Sequence, residues 1–155
     1  MSSRSAFIAC SVAALATGLC ATAAPAAADG DLDNYVPVNP ADYLVADPAY
    51  KGTVFFTTPD GRHCAIYWNN GYTGCDAVSL DAPAGTNQLR VARWEAANFL
   101  NSPEQTFTHP EAKVLPEGHK ITHDQTTCGI GYQGTVNCEV VDHGFVLSAV
   151  YSVLH

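Results

Sequence analysis

The sequence predicts an all-β domain, mainly antiparallel, folded as a small sandwich or barrel-like unit. Three observations predict it. Four cysteines, Cys64, Cys75, Cys128 and Cys138, fall into two pairs, each spanning one short hairpin. The apolar segments are short, rich in β-branched and aromatic residues, and punctuated by Pro, Gly, Asn and Asp. An Ala-rich leader precedes them and places the cysteines in an oxidising compartment.

The leader has three parts. Arg4 supplies a positive start, an apolar stretch runs from Ala6 to Ala24, and Ala26-Ala27-Ala28 ends at Asp29. Residues 1–28 therefore read as a secretory signal peptide cleaved after Ala28. Ser, Thr and Gly interrupt the apolar stretch, whereas a membrane anchor needs about 20 strongly apolar residues. Lipidation is disfavoured because Cys20 follows Leu19, where a small residue is expected, and Cys10 lies too early. The expected location is secreted or extracytoplasmic, in the cell envelope or outside it, with no membrane contact after cleavage.

Cleavage removes Arg4 and leaves six Lys and Arg against fifteen acidic residues, a formal charge of −9. Such a surface repels nucleic-acid phosphates and anionic lipid, and no basic stripe offsets it. Apolar content of 47% is ample for a core, so the chain is not of the disordered class. The domain plan is a leader (1–28), an acidic, Pro-containing irregular lead-in (29–50) that drapes on the body, and one β-rich domain (51–155).

Val54 to Thr58 reads as the first strand, and Pro59-Asp60-Gly61 as the turn into the Cys64 strand. From Cys64 to Cys75, a four-residue loop Trp68-Asn69-Asn70-Gly71 ends in Gly and sets the two cysteines opposite one another at a non-hydrogen-bonded position. A two-residue Asn69-Asn70 turn also keeps them opposite, in the less favourable pair type. Asp81 to Asn87 is a loop. In Gln88 to Phe99, Leu89, Ala92, Ala96 and Phe99 follow helical spacing; the start reads as strand, with a short helix allowed near Trp94 to Leu100. Lys113-Val-Leu115 and Lys120-Ile-Thr122 flank the Pro116-Glu117-Gly118 turn.

From Cys128 to Cys138, a three-residue loop Tyr132-Gln133-Gly134 puts Gly where a left-handed residue is wanted. That register pairs Ile130 with Val136 and Cys128 with Cys138, again at a non-hydrogen-bonded position where Cβ atoms approach closely. The last strand is expected from Phe145 toward Val153, with apolar residues on both faces. No internal repeat is evident beyond two cysteine-stapled hairpins of similar design. A metal site at the cysteines is disfavoured by the oxidising compartment and the lack of C-x-x-C.

Phe55-Phe-Thr-Thr-Pro-Asp-Gly-Arg-His-Cys64 followed by Gly74-Cys75-Asp76 resembles a group of small secreted actinobacterial, notably mycobacterial, proteins. Leu115-Pro-Glu-Gly-His119, Thr127-Cys128-Gly129, Val136-Asn-Cys138 and His143-Gly-Phe-Val-Leu-Ser148 are similar too. The resemblance implies secretion and paired cysteines, and brings no catalytic residue.

Candidate chemistry is sparse. His119 and His123 share a face, but on extended chain they stand about 13 Å apart, too far for one metal ion without further ligands. Asp124 beside His123, and Asp142 beside His143, project to opposite faces of a strand. His143-Gly144 suits a strand entry with close backbone approach at Gly144. Ser148 lacks a G-x-S-x-G context, and a Ser148–His143–Asp76 triad would have to assemble through space. Asp60, Asp76 and Asp81 are the carboxylates available for glycoside chemistry. The hairpin tip at Trp68 and Tyr72, with Tyr67 nearby, is the best candidate surface; Trp94 joins it only if the fold brings it close.

The expected function is a non-enzymatic module that binds a protein, peptide or envelope component, without cofactor. The alternative is a small secreted hydrolase or protease inhibitor. A concave pocket gathering His, Asp and Ser would favour the enzyme, and an exposed aromatic surface the binder.

Overall fold

The computed structural model describes residues 32–69 and 71–155. The leader, with Cys10 and Cys20, lies outside the described residues. The described chain forms twelve strands: β1 (Val36–Pro37), β2 (Val54–Thr57), β3 (His63–Ile66), β4 (Tyr72–Cys75), β5 (Gln88–Ala92), β6 (Glu95–Leu100), β7 (Lys113–Val114), β8 (His119–His123), β9 (Thr126–Ile130), β10 (Val136–Val140), β11 (His143–Leu147) and β12 (Ser152–Leu154). Its helical content is confined to short 3-10 turns.

The strands make two six-stranded sheets, ordered β6-β5-β4-β3-β2-β7 and β1-β8-β9-β10-β11-β12. All pairings are antiparallel except the two-residue ones, β1 with β8 and β7 with β2. A plan emerges that the sequence does not display. Each half of the chain supplies one short strand and then a five-stranded antiparallel meander. The short strand of each half pairs with the first meander strand of the other half. Val36 pairs with His119, and Lys113 with Phe56. Reciprocal exchange of this kind is what a two-fold relation between halves produces.

Both disulfides occupy the same place in this plan, joining the second and third strands of a meander. Cys64 opposes Cys75 with Cα atoms 4.0 Å apart, and Cys128 opposes Cys138 at 4.1 Å. The expected registers hold residue for residue, including Ile130 with Val136 and the closing Gly131 N–H to Thr135 carbonyl bond at 2.7 Å. Tyr67 N–H bonds to the Tyr72 carbonyl at 2.9 Å, which closes the four-residue loop.

The disulfides face inward, into a core lined by Val54, Phe56, Ile66, Leu89 and Val91 from one sheet and Ile121, Ile130, Val136, Phe145 and Leu147 from the other. All ten side chains are buried to within 1% exposure, and each such burial contributes about 1.5–3 kcal/mol. A smaller cluster of Phe55, Ala65 and Phe107 covers the outer face of the first sheet, flanked by Tyr50, Tyr67 and Tyr72. Residues 36–50 pack on the two sheets. Their 3-10 turns are capped by Asn39 and Asp47, Tyr43 reaches the core, and the Tyr43 hydroxyl donates to the Val114 carbonyl at 3.2 Å.

Two expectations need correction. Trp94 to Leu100 is not helical: β5 and β6 form a hairpin about an Arg93-Trp94 turn, pairing Ala92 with Glu95 and Leu89 with Phe99. The helical spacing was accidental, because pairing of β5 with β4 satisfies the backbone and buries Leu89 and Val91 on one face. Likewise, Phe145 to Val153 is not one strand. The Ser148 hydroxyl accepts from the Val150 and Tyr151 N–H groups at 3.2 and 3.0 Å, reverses the chain, and returns β12 against β11. The Pro116-Glu117-Gly118 turn carries the chain between sheets, with β7 in one and β8 in the other.

Candidate binding site

Three hairpin tips meet at one end of the sandwich. They are the Trp68–Gly71 loop between β3 and β4, the Arg93-Trp94 turn between β5 and β6, and the Asp124-Gln125 turn between β8 and β9. The first two belong to one sheet and the third to the other. Asn69, Gly71 and Asp124 take positive φ of 71°, 64° and 54°, so these Asn, Gly and Asp positions suit tight turns. Between the tips lies a cleft of about 210 Å³ lined by Trp68, Asn69, Gly71, Arg93, Trp94 and Asp124.

Both indoles are large, rigid and half open to solvent, Trp68 at 51% and Trp94 at 58% exposure. Each rests on a glycine. A Cβ on Gly52 would come within 2.9 Å of the Trp68 ring, and one on Gly71 within 2.7 Å of the Trp94 ring. Tyr72 meets Trp94 edge-on, with ring centroids 5.7 Å apart. Tyr72 is itself held: the Arg90 guanidinium lies 4.5 Å from its ring centre, and its hydroxyl donates to Glu95 Oε2 at 3.1 Å. Burial works to raise the Glu95 carboxyl, but hydrogen bonds from Asn98, Arg90 and Tyr72 outweigh it and hold Glu95 below its ordinary range. Arg93 Nη2 donates to Gln125 Oε1 at 2.8 Å, which ties the tips of the two sheets together.

Of the residues singled out from sequence, Trp68 lines this cleft directly and Tyr72 buttresses it through Trp94. The fold does bring Trp94 close. Asn69 carried turn chemistry alone and Arg93 no signal, while Asp124, weighed as a strand neighbour of His123, instead sits in the β8–β9 turn; their meeting depends on both sheets.

Most of the other candidates are engaged elsewhere. His119 Nδ1 lies 3.0 Å from the Glu117 carbonyl, and His123 Nε2 lies 2.7 Å from the Gly52 carbonyl. No group of three or more His, Cys, Asp or Glu among the described residues is placed to hold a metal ion. The Asp76 carboxylate accepts from Gln88, the Phe107 N–H and the Thr108 hydroxyl at 2.6–2.8 Å, and so anchors the 101–112 segment. The Ser148 hydroxyl is used by its own turn, and no hydrogen bond links it to His143 or Asp76. Asp60 pairs with Arg62 at 2.8 Å, and Asp81 accepts from Ser79 at 2.5 Å. Gly144 marks a close approach as expected: a Cβ there would meet the Cys138 carbonyl oxygen at 2.7 Å.

Two disulfides are the mark of an oxidising, extracytoplasmic environment, and no helix among the described residues is long and apolar enough to cross a membrane. Comparison with protein families, curated proteins and solved structures finds no match to the chain.

Proposed function

We propose that this chain is a secreted binding module, exported by its leader, whose ligand docks at the cleft between Trp68 and Trp94. One observation carries the reading. Two half-exposed indoles are braced on glycines at the tips of hairpins, one of them disulfide-stapled, so they lose little conformational freedom on binding. Polar groups of Asn69, Arg93 and Asp124 beside them supply orientation. The partner class is a protein, peptide or envelope component of the extracytoplasmic space.

The test is capture from native culture filtrate by the exported, disulfide-intact protein, compared with Trp68→Ala and Trp94→Ala. Both variants should melt within a few degrees of wild type, and both should lose most of the captured partner. Undiminished capture by both variants overturns the site. Hydrolysis of an ester, peptide or glycan, lost on replacing His143 or Ser148, would move the protein to the enzyme class.

A further inference from the structure

The repeated strand plan has a counterpart of the tryptophan cleft at the opposite end. That cleft lies between the β3–β4 loop and the β5–β6 turn. The matching connections of the second half are the β9–β10 loop and the β11–β12 turn. Between them lies a second cleft of about 230 Å³, lined by Tyr132, Gln133, Thr135, Ser148, Val150 and Tyr151. Tyr132 is 71% exposed and Tyr151 38%. The cross-sheet ties repeat as well. Arg93 of the β5–β6 turn bonds Gln125 of the β8–β9 turn, while Arg62, on the equivalent β2–β3 connection, bonds the Leu147 carbonyl at the β11–β12 turn at 3.2 Å and the Gly134 carbonyl beside the second cleft at 2.9 Å. Strands of four and five residues separate the two ends, roughly 13–17 Å.

Resting on the binding-module reading, we infer that the two clefts are paired subsites for a neutral glycan, one sugar ring in each. Three features select that ligand. The first cleft sets exposed indoles beside the Asn69 amide and the Asp124 carboxylate, and the second sets exposed phenol rings beside the Gln133 amide. A pyranose needs that combination, since its C–H face stacks on a ring while its hydroxyls reach polar atoms. Each cleft is also smaller than the usual ~300–1,000 Å³ ligand pocket, which suits a single ring rather than a larger ligand. Finally, the formal charge of −8 for the whole chain disfavours polyanions. Two like sites at opposite ends suit a polymer that repeats one unit, through which weak contacts gain avidity.

The test is calorimetric titration with cellotetraose, maltotetraose and mannotetraose, with tetragalacturonate as the acidic comparison. At least one neutral tetrasaccharide should bind at two per chain, and tetragalacturonate at least tenfold more weakly. Trp94→Ala and Tyr132→Ala should each halve the stoichiometry with little change in melting temperature, and Tyr151→Ala should act as Tyr132→Ala does. A stoichiometry of one, lost in Trp94→Ala and untouched by both tyrosine variants, overturns the second subsite and leaves the binding-module reading in place. No binding of any neutral saccharide, while Trp94→Ala still loses its filtrate partner, overturns the glycan class alone. Failure of both assays overturns the inference together with the reading beneath it.

Discussion

The Arg62 guanidinium donates from Nη2 to the Gly134 carbonyl at 2.9 Å, a bond from one sheet to a hairpin loop of the other. Its Nη1 reaches the Leu147 carbonyl at 3.2 Å, and its side chain is only 13% exposed. Asp60, two residues before it, balances the charge at 2.8 Å. One side chain thus fastens the β2–β3 connection to two elements of the facing sheet.

Arg62→Ala should therefore destabilise the fold by about 2–3 kcal/mol, the scale of lost hydrogen bonds to a charged group. Denaturant unfolding measures it, and a change under 0.5 kcal/mol would show the clamp to be dispensable. The acid limb should respond too. Burial works to raise the Asp60 carboxyl, but the hydrogen bonds from Arg62 and Thr58 and the Arg62 charge outweigh it and lower it. A lowered native value contributes stability above the unfolded pKa, about 3.9, which is lost as pH falls through the native value. Removing Arg62 should flatten that loss.

Gly74→Ala tests the cover over the outer face. A Cβ at Gly74 would press on the Leu89 carbonyl oxygen of the neighbouring strand β5 and lie 2.6 Å from the Phe107 ring, which is 1% exposed. Both the ring and the β4–β5 pairing must give, at about 1–3 kcal/mol for an overpacked site. The expected sign is faster proteolysis within residues 101–112, with the disulfides intact. Unchanged cleavage would mean that the segment is held by Asp76 alone.

Tyr67 should titrate late. Burial first, then the neighbouring Tyr50 and Asp76, push its phenol up to about 12, and its hydroxyl donates to the Thr106 carbonyl at 2.6 Å. A raised native value leaves its contribution intact below the unfolded pKa, about 10, and loses it as pH rises through about 12. Ultraviolet titration should show a late phenolate step that Tyr67→Phe removes. A Tyr67→Phe curve identical in its late step would rule out this assignment.

Non-reducing peptide mapping should recover Cys64–Cys75 and Cys128–Cys138 as separate local loops. Replacing either pair by alanine should cost about 3 kcal/mol for loops this short. Crossed peptides, or loss below 1 kcal/mol for both pairs, would contradict the stapled-hairpin account.

The hairpins that hold the cysteines were legible because everything that sets them is local. Gly71 and Gly134 take positive φ of 64° and 72°, as the loops ending at them require, and strand alternation then carries each register to the cysteine pair. All-β character was legible for the same reason. The start of the stretch 88–100 was legible as strand, but a helix was allowed near Trp94 to Leu100 because residues at helical spacing are equally at home on a strand, and only pairing with the neighbouring strands decides between them. The strand after Phe145 was misread because the turn is made by the Ser148 side chain, without Pro or Gly to announce it.

The expected compartment, the β class and the disulfide pairing were all readable along the chain, from patterns within about a dozen residues, and so was the placing of Trp68 at a hairpin tip; that its ring stays open to solvent was not. Tertiary structure alone decided that Trp94, Arg93 and Asp124 complete the Trp68 cleft, and that a second cleft answers it at the other end. The repeated plan escaped the sequence because it is written in strand pairing. Val36 and His119, or Phe56 and Lys113, meet across more than fifty residues with no shared motif. Burying a second sheet against the first is what brings such distant turns into register, and no periodicity along the chain encodes that.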